Sequence, residues 1–395
     1  MPTSGRAGRY VRQPAGYQAF VPAPLPPAPP IAFDPELVTL LSRADQAVGR
    51  LDGEVRTRPN PDLFVAMYVR REAVLSSQIE GTQSTLEDLL AVELRPGVAE
   101  MSRDVDELVN YVQAMNYGLA RLAELPLSLR LIREIHAQLL RGVRGANKLP
   151  GEFRRDQNYI AGSGARGIED AAFVPPPVGE MKQALSDLEH FLHEGELPAL
   201  VHVGLAHAQF ETIHPFTDGN GRVGRLLITL MLVHREVLHR PLLYLSLFLK
   251  RHRDEYYELL MAIRQEGDWE SWLRFFLRGV AETAEEATIT ARSIVQLRER
   301  QRELLMEWNV SPNTLRLLDF LFLRPLIDVN LVSKELGVTF ATANKLVEQL
   351  ETFRVINEVT GRRRDRVFRF GPYLSLFEGD DDRPVPAERV QVTAS

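Results

Sequence analysis

The sequence predicts a mainly α-helical protein with one β-hairpin and a C-terminal winged helix-turn-helix domain. Apolar residues recur at helical spacing from Pro35 to about Leu139 and again from Val178 to Arg278. Between these regions, residues 151–177 place three glycines between two short apolar segments, a pattern typical of a β-hairpin. Near the C-terminal end, three short helical patterns precede two strand patterns, which is the order of a winged helix.

The composition indicates an ordinary globular protein and excludes several function classes. The 395 residues are 45% hydrophobic and 25% charged, with a formal net charge of −6 and no cysteine. The lack of thiols excludes disulfides and thiolate chemistry and fits a reducing compartment. The small negative charge gives no general attraction to nucleic acids or anionic membranes. Because no signal-peptide pattern and no apolar run of about 20 residues is present, we expect a cytoplasmic protein with no membrane partner.

The N-terminal half is predicted to be an arm followed by helices. Residues 1–34 contain a dense run of prolines, which predicts an extended arm over the surface and no independent domain. A helix is predicted from Pro61 to Glu80, because proline suits its first turn and Gly81 suits its C-terminal cap. Glu80 would then lie at the end of a helix where the dipole disfavours a carboxylate unless a cation is close.

The most informative segment of the chain is residues 214–226, which read HPFTDGNGRVGRL. The proline predicts extended backbone at His214 and the end of the preceding helix. The glycines allow a tight turn whose N–H groups can form an anion nest. Strongly apolar residues then predict a buried helix from Arg222 to Arg235, and the N-terminus of such a helix attracts phosphate.

Four side chains of this segment suit a nucleotide polyphosphate. Arg222 and Arg225 share a face of the first helical turn, where two cations are unfavourable unless an anion binds. Asp218 supplies a hard oxygen ligand, which suits Mg²⁺ that bridges phosphates. Histidine titrates near neutrality, so His214 could take a proton from an attacking hydroxyl.

The segment resembles the signature of the Fic family, His-Pro-Phe-x-Asp-Gly-Asn-Gly-Arg-x-x-Arg, at every specified position. The resemblance implies a Fic-type helical bundle that transfers AMP from ATP, with Mg²⁺, onto a protein hydroxyl. It implies His214 as the catalytic base and Asp218 as the metal ligand. It also implies a nucleotide-binding set: Phe216, Thr217, Asp218, Gly219, Asn220, Gly221, Arg222 and Arg225. Related Doc-type kinases carry lysine in place of Gly221, so glycine there favours nucleotidyl transfer over phosphoryl transfer.

A second segment resembles the inhibitory motif of Fic proteins, Ser/Thr-x-x-x-Glu-Gly/Asn, through Ser76, Glu80 and Gly81. Its place before the catalytic motif is similar to the class with an N-terminal inhibitory helix. The resemblance implies that Glu80 pairs with Arg225 and occupies the space that the ATP γ-phosphate needs. The alternative is an ordinary exposed glutamate at a helix end.

Three further predictions concern the nucleoside and the target. The segment around residues 245–257 resembles the border of the family's adenine pocket, which suggests Arg251 as a contact, although family members often have asparagine there. Gln209 could reach the nucleoside, or it could be an ordinary helix-surface glutamine. Residues 151–177 resemble the flap on which Fic proteins dock a target's backbone as an added strand. A surface hairpin without this role is the alternative.

The C-terminal region has the organisation of a winged helix. Helices are expected at 315–323, 331–336 and 339–353, and strands at 355–359 and 367–370. The wing carries a basic cluster that could meet phosphates: Arg362, Arg363, Arg364, Arg366 and Arg369. The expected recognition helix, however, holds Lys345 as its one cation beside Glu348 and Glu351. Packing or target docking is therefore favoured over binding of duplex DNA, which stays possible.

These predictions divide the chain and leave three hypotheses open. The expected parts are an arm (1–34), a helical region with the inhibitory motif (35–125), a Fic core (126–281), a linker helix (282–310), a winged helix (311–378) and a disordered tail (379–395). The first hypothesis is an autoinhibited protein adenylyltransferase that modifies targets and itself. The second is a winged-helix transcriptional regulator with a nucleotide-sensing Fic domain. The third is a Fic enzyme that uses another donor or removes AMP. A homodimer is also expected as possible, since such inhibition is often linked to an interface.

Overall fold

The described part of the chain is mainly α-helical and carries three small antiparallel sheets, in agreement with the predicted fold class. The computed structural model describes residues 5–56, 62–95, 103–143, 148–162 and 167–377. The predicted first-turn proline, Pro61, and the predicted tail, 379–395, lie outside these residues.

The helices follow one another in chain order. The first five are α1 (Pro35–Arg56), α2 (Asp62–Ile79), α3 (Leu86–Leu94), α4 (Arg103–Arg121) and α5 (Leu129–Leu139). The next six are α6 (Val178–Leu192), α7 (Ala199–Ile213), α8 (Asn220–His234), α9 (Ser246–Arg251), α10 (Arg253–Glu266) and α11 (Trp269–Glu307). The last four are α12 (Pro312–Leu321), α13 (Val329–Leu336), α14 (Phe340–Thr352) and α15 (Gly371–Leu374).

The N-terminal arm is a β-hairpin, which corrects the prediction of a simple extended arm. Strands β1 (Gly8–Arg12) and β2 (Gln18–Pro22) pair antiparallel. In β2, Ala19 and Phe20 are fully buried, and the ring of Phe20 lies 6.0 Å from that of Phe173. The arm therefore contributes apolar side chains to the core, and this tertiary contact, not the proline content, determines its conformation.

Helices α7 and α8 form the centre of the molecule. All residues of α7 from Leu200 to Ile213 are buried, as expected of a helix that is apolar on every side. Gly204 allows α11 to approach closely, since a Cβ there would lie 2.9 Å from Phe276. The indole of Trp272 donates a hydrogen bond to the Gly204 carbonyl at 2.9 Å. Helix α8 is buried over most of its length as well, so the core holds both helices that flank the connecting segment.

The predicted hairpin within residues 151–177 is present. Strands β3 (Ile160–Ala161) and β4 (Ala171–Phe173) pair antiparallel, and residues 163–166 at its tip lie outside the described part. The N–H of Phe20 donates to the carbonyl of Val174 at 2.9 Å. The N-terminal hairpin therefore covers the end of β4.

Helix α11 is longer than the linker helix predicted at 282–310. It begins after Asp268, whose side chain caps it, and continues without interruption for 39 residues. Buried alanines such as Ala284 and Ala291 recur at helical spacing, and α11 packs along α1, where Arg43 pairs with Glu285 at 2.9 Å. No break in the helix marks the predicted boundary at 281, because the apolar stripe continues across it.

The C-terminal winged helix is confirmed, with one additional strand. Strands β6 (Asn357–Glu358) and β7 (Phe368–Arg369) form the predicted wing, and β5 (Leu326–Ile327) pairs with the other edge of β7. The domain packs on α2 and α3. Its contacts include the ion pairs Arg324–Glu93, Arg95–Asp328 and Arg369–Glu87 and the rings of Tyr68 and Phe377, 5.4 Å apart.

Candidate active site

The loop between α7 and α8 carries the predicted catalytic residues. His214 ends α7 in a left-handed conformation (φ 48°, ψ 60°), which corrects the extended backbone expected before a proline. This conformation lets its N–H reach the Phe210 carbonyl at 3.0 Å and close the last turn of the helix. The Asn220 amide then closes the loop, because its oxygen accepts from the N–H of Phe216 and its nitrogen donates to the carbonyl of Phe216, both at 2.8 Å.

The His214 imidazole is held in its neutral form. Burial, together with the nearby cations Arg264 and Arg154, lowers its pKa to about 3. A neutral ring can accept a proton, so the environment suits the base predicted at this position. Bound polyanionic phosphates would offset these cations and raise the basicity of the ring.

Two residues that the sequence did not single out position the loop from outside it. His136 of α5 accepts a hydrogen bond from the N–H of Gly151 at Nδ1 (2.9 Å), and its Nε2 lies 3.0 Å from the Asp218 carbonyl. Nε2 is therefore the protonated nitrogen. The ring also stacks on Phe216 with centroids 3.7 Å apart. His136 thus joins the start of the hairpin segment to the catalytic loop.

Arg154 is the second positioning residue. Its side chain is 2% exposed, and burial lowers its pKa to about 10. The guanidinium donates to the carbonyls of His214 and Asp156, each at 3.1 Å, and to that of Pro176. One cation therefore ties both ends of the hairpin segment to the loop, and local sequence patterns contain no signal for such a contact.

The start of α8 lies beside the predicted metal ligand. Gly219 takes a left-handed conformation (φ 79°) and precedes the first turn of the helix. Asp218 accepts from the N–H of Gly219 at 2.6 Å, and its side chain is 36% exposed. A half-buried carboxylate beside a helix N-terminus, 3.5 Å from Arg222, suits Mg²⁺ that takes its other ligands from phosphates and water. Thr217 is half-buried next to it.

The two arginines of α8 bind different carboxylates. Arg222 pairs with Glu107 of α4 at 2.9 Å, and both side chains are buried. Arg225 donates to the hydroxyl of Ser76 at 2.8 Å and to Glu80 at 2.7 Å. The predicted contact between Glu80 and Arg225 is therefore present, whereas the partner of Arg222 could not be predicted because Glu107 lies 115 residues earlier.

Electrostatics keep the Glu80–Arg225 pair ionised. Burial alone would raise the pKa of Glu80, but Arg225 holds it below its ordinary value. Burial alone would lower the pKa of Arg225, yet Glu80 raises it. The pair also explains Gly221, because a Cβ there would lie 2.2 Å from a Glu80 oxygen. Glycine at this position permits the carboxylate to approach the loop.

The remaining predicted contacts have other partners. Gln209 is 3% exposed and donates to the carbonyl of Ala23 at 2.8 Å, so it is not a helix-surface residue but holds the N-terminal arm. Arg251 pairs with Glu286 of α11 at 2.8 Å. The predicted nucleoside contacts of both side chains stay predictions.

Family comparisons agree with this geometry. The family model described as Fic/DOC family N-terminal matches residues 38–120, and the one described as Fic/DOC family matches residues 126–232. The chain thus contains a Fic N-terminal region and a Fic domain. A third model, described as HTH DNA binding domain, matches residues 315–369, within the winged helix.

Curated relatives and one solved structure place the Fic domain in context. A relative from Drosophila virilis, "Protein adenylyltransferase Fic", is 33% identical over 53% of this chain and 39% of its own length. Its counterpart from Drosophila yakuba is 31% identical over 63% of this chain and 46% of its own length. The chain thus spans less than half of these relatives. The crystal structure of a Fic family protein from Desulfovibrio desulfuricans G20 has the same fold, with a TM-score of 0.56, 21% identity and coverage of 86% of this chain and 97% of that one.

Across the described helices, none is long and apolar enough to span a membrane.

Proposed function

We propose that this protein is an autoinhibited protein adenylyltransferase, which transfers AMP from ATP to hydroxyl side chains of target proteins and of itself. The observation that carries the proposal is the Glu80–Arg225 pair, 2.7 Å long, at the N-terminal turn of α8. Arg225, which an ATP phosphate would need, is there paired with the carboxylate of Glu80 at the end of α2. The names of the curated relatives support the reaction class.

The chemistry follows from the groups around the loop. A target hydroxyl attacks the α-phosphorus of ATP, the bond from that phosphorus to the bridging oxygen breaks, pyrophosphate leaves, and the hydroxyl proton passes to His214. The N–H groups at the start of α8, and those of the loop that the Asn220 side chain closes, bind phosphate oxygens. Asp218 would hold Mg²⁺ together with the phosphates, and the metal would neutralise phosphate charge.

Inhibition is competition for one arginine. Arg225 is 2% exposed and already has three hydrogen bonds to Ser76 and Glu80, so an outer phosphate has to displace Glu80 to reach it. Breaking a buried ion pair costs about 3–5 kcal/mol, and a phosphate recovers part of this. A remaining cost of about 1.4–2.8 kcal/mol would slow the reaction by about 10–100-fold.

Labelling of the purified chain tests the proposal. With ATP labelled at the α-phosphate and Mg²⁺ present, we expect Glu80→Gly to raise automodification by about 10–100-fold and His214→Ala to abolish it in either background. ATP labelled at the γ-phosphate should give no protein label, which separates nucleotidyl from phosphoryl transfer. Glu196→Gly, exposed in the loop before α7, serves as the control. Unchanged labelling of Glu80→Gly would exclude the inhibitory role.

The target should dock on the hairpin β3–β4. Because β2 covers the end of β4 through the Phe20–Val174 hydrogen bond, β3 offers the edge to which a target strand can be added. Mass spectrometry of Glu80→Gly protein incubated with ATP, Mg²⁺ and lysate would identify the modified hydroxyl. Ala161→Pro should reduce labelling of the target more than automodification, since proline removes the main-chain N–H of residue 161 in β3.

A nucleic-acid-binding regulator is the second candidate function. The match to an HTH DNA binding domain and the exposed wing residues Arg362, Arg363 and Arg364 favour it. Arg366, however, lies 3.8 Å from both Glu348 and Glu351 of α14, so acidic side chains occupy the expected recognition helix. Retention of duplex DNA that weakens with salt, without transfer of label from ATP, would support the regulator. A homodimer, a cytoplasmic location and another nucleotide donor stay predictions.

A further inference from the structure

A cavity behind α2 contains polar chemistry that the proposed reaction does not use. It lies between α2, the segment at 242–247 and α11 and has a volume of about 50 Å³. Its lining includes Tyr68, Arg71 and Glu72 of α2, Tyr244, and Glu286 and Ala287 of α11. Glu72 precedes Glu80 by eight residues, which is about 12 Å along the helix, so the cavity is separate from the phosphate loop.

Two buried oxygen atoms on the cavity wall have no hydrogen-bond partner within the described residues. Glu72 is 2% exposed, and its Oε1 accepts from the hydroxyls of Ser246 at 2.5 Å and Tyr111 at 3.3 Å. Its Oε2 has no partner, and neither does the hydroxyl of Tyr244, which is 6% exposed. A buried polar group left without a partner costs about 1–3 kcal/mol, so a ligand that donates hydrogen bonds here is favoured.

The wall offers a cation one carboxylate and two aromatic rings, beside the guanidinium of Arg71. The rings of Tyr68 and Tyr244 stack at 6.4 Å with an angle of 22° between their planes. Aromatic faces and a carboxylate are the groups with which proteins bind ammonium ions. We propose that this cavity binds a small primary ammonium compound, whose three N–H donors are shared between Glu72 and the hydroxyl of Tyr244.

Glu72 has the protonation behaviour that such a site requires. Burial raises its pKa to about 7 in spite of the opposing effects of Ser246, Arg225 and Tyr111. The groups that face it or its cavity are Tyr111 from α4, Arg225 from α8, Tyr244 and Ser246 before and in α9, Glu286 from α11 and Arg71 on α2 itself. An ammonium ion needs the ionised carboxylate, so its binding strengthens as the pH rises through about 7.

A chain of hydrogen bonds connects the cavity to the inhibitory pair. The Tyr111 hydroxyl bonds Glu72 and also interacts with the hydroxyl of Ser76. Ser76 in turn accepts a hydrogen bond from Arg225 at 2.8 Å. A ligand that fills the cavity should hold α2 in place and strengthen inhibition, and this consequence rests on the proposed function.

Titration calorimetry of the full chain with ethylammonium chloride tests the site. We expect binding at about pH 8 that is about tenfold weaker at about pH 6, because the ionised fraction of Glu72 changes by that factor. Acetate and propanol should not bind. Glu72→Gln should lose at least about tenfold in affinity at the higher pH and lose the pH dependence, while Glu282→Gln on α11, outside the cavity, should behave as the natural chain.

A second variant protects the test against misfolding. Ala287→Leu leaves Glu72 in place but fills the cavity, so it should also abolish binding. The site is excluded if ethylammonium fails to bind the natural chain, or binds Glu72→Gln and Ala287→Leu as tightly as it binds the natural chain. Automodification is measured separately and should fall when ethylammonium is added. Since calorimetry needs no enzymatic activity, failure of the proposed function and failure of the site give different results.

Discussion

At the scale of single residues, the catalytic loop depends on side chains that lie outside the signature. His136 bonds the loop at the Asp218 carbonyl and the hairpin segment at Gly151, and it does so as a neutral ring. Burial lowers its pKa to about 4. An unfolded histidine titrates near 6.5, so its contribution to stability is complete above that pH and is lost as the pH falls towards 4.

We expect the free energy of unfolding to fall as the pH drops from about 6.5 towards about 5, and His136→Gln to reduce that fall by about 2 kcal/mol. Unfolding lets His136 take up a proton in this range, whereas glutamine cannot. Urea unfolding at several pH values measures the effect, with His190→Gln, exposed on α6, as the control. Equal pH dependence of the natural chain and His136→Gln would contradict the assignment.

Gly221 offers a second test at this scale. A Cβ there would lie 2.2 Å from a Glu80 oxygen and 2.9 Å from Arg225, so Gly221→Ala should cost about 1–3 kcal/mol of stability. In Glu80→Gly protein the nearer of these contacts is absent, and the same change should cost much less. Comparing the two backgrounds cancels the higher helix propensity of alanine. Equal costs would show that Glu80 does not occupy this position in solution.

At the scale of elements, the sequence predicts helices well where a cap or a proline marks their ends. The helix predicted from Pro61 to Glu80 is α2, Asp62–Ile79, and the one predicted from Arg222 to Arg235 is α8, Asn220–His234. The signature residues were found for the same reason, since one short loop and one helical turn contain them all.

Features that depend on distant partners could not be predicted from local patterns. Strand β5 has two residues and exists because it pairs with β7, and the N-terminal hairpin depends on burial of Phe20. The same holds in the site. His136, Arg154 and Glu107 reach the loop from 60 to 115 residues away in the sequence, and their own neighbours in the chain give no indication of that contact.

At the scale of the whole molecule, the winged helix packs against α2, the helix that ends one residue before Glu80. Phe377 is fully buried and meets Tyr68 of α2 edge to face. Glu93 of α3 accepts from Arg70 at 2.8 Å and from Arg324 at 2.6 Å, so one carboxylate joins α2, α3 and the C-terminal domain. The position of α2 therefore depends on the C-terminal domain as well as on the Fic core.

Phe377→Ala should loosen this contact. Loss of a fully buried phenylalanine costs about 3–5 kcal/mol, and part of that cost falls on the packing of α2. We expect faster hydrogen exchange at the amides of α2, measured by mass spectrometry, with little change in α7. Phe340→Ala, at a position that is 56% exposed in the same domain, is the control. Unchanged exchange in α2 would show that the two regions are independent.

Helix α11 fixes the distance and the rotation between the Fic core and the winged helix. Its 39 residues form a rod about 58 Å long, so a tilt of about 3° at one end moves the other by about 3 Å. Each residue also adds a rotation of about 100°, so an insertion of one residue would turn the winged helix about the axis and take Arg324 away from Glu93. The number of residues in α11 is therefore as specific a determinant of domain docking as any side chain at the contact.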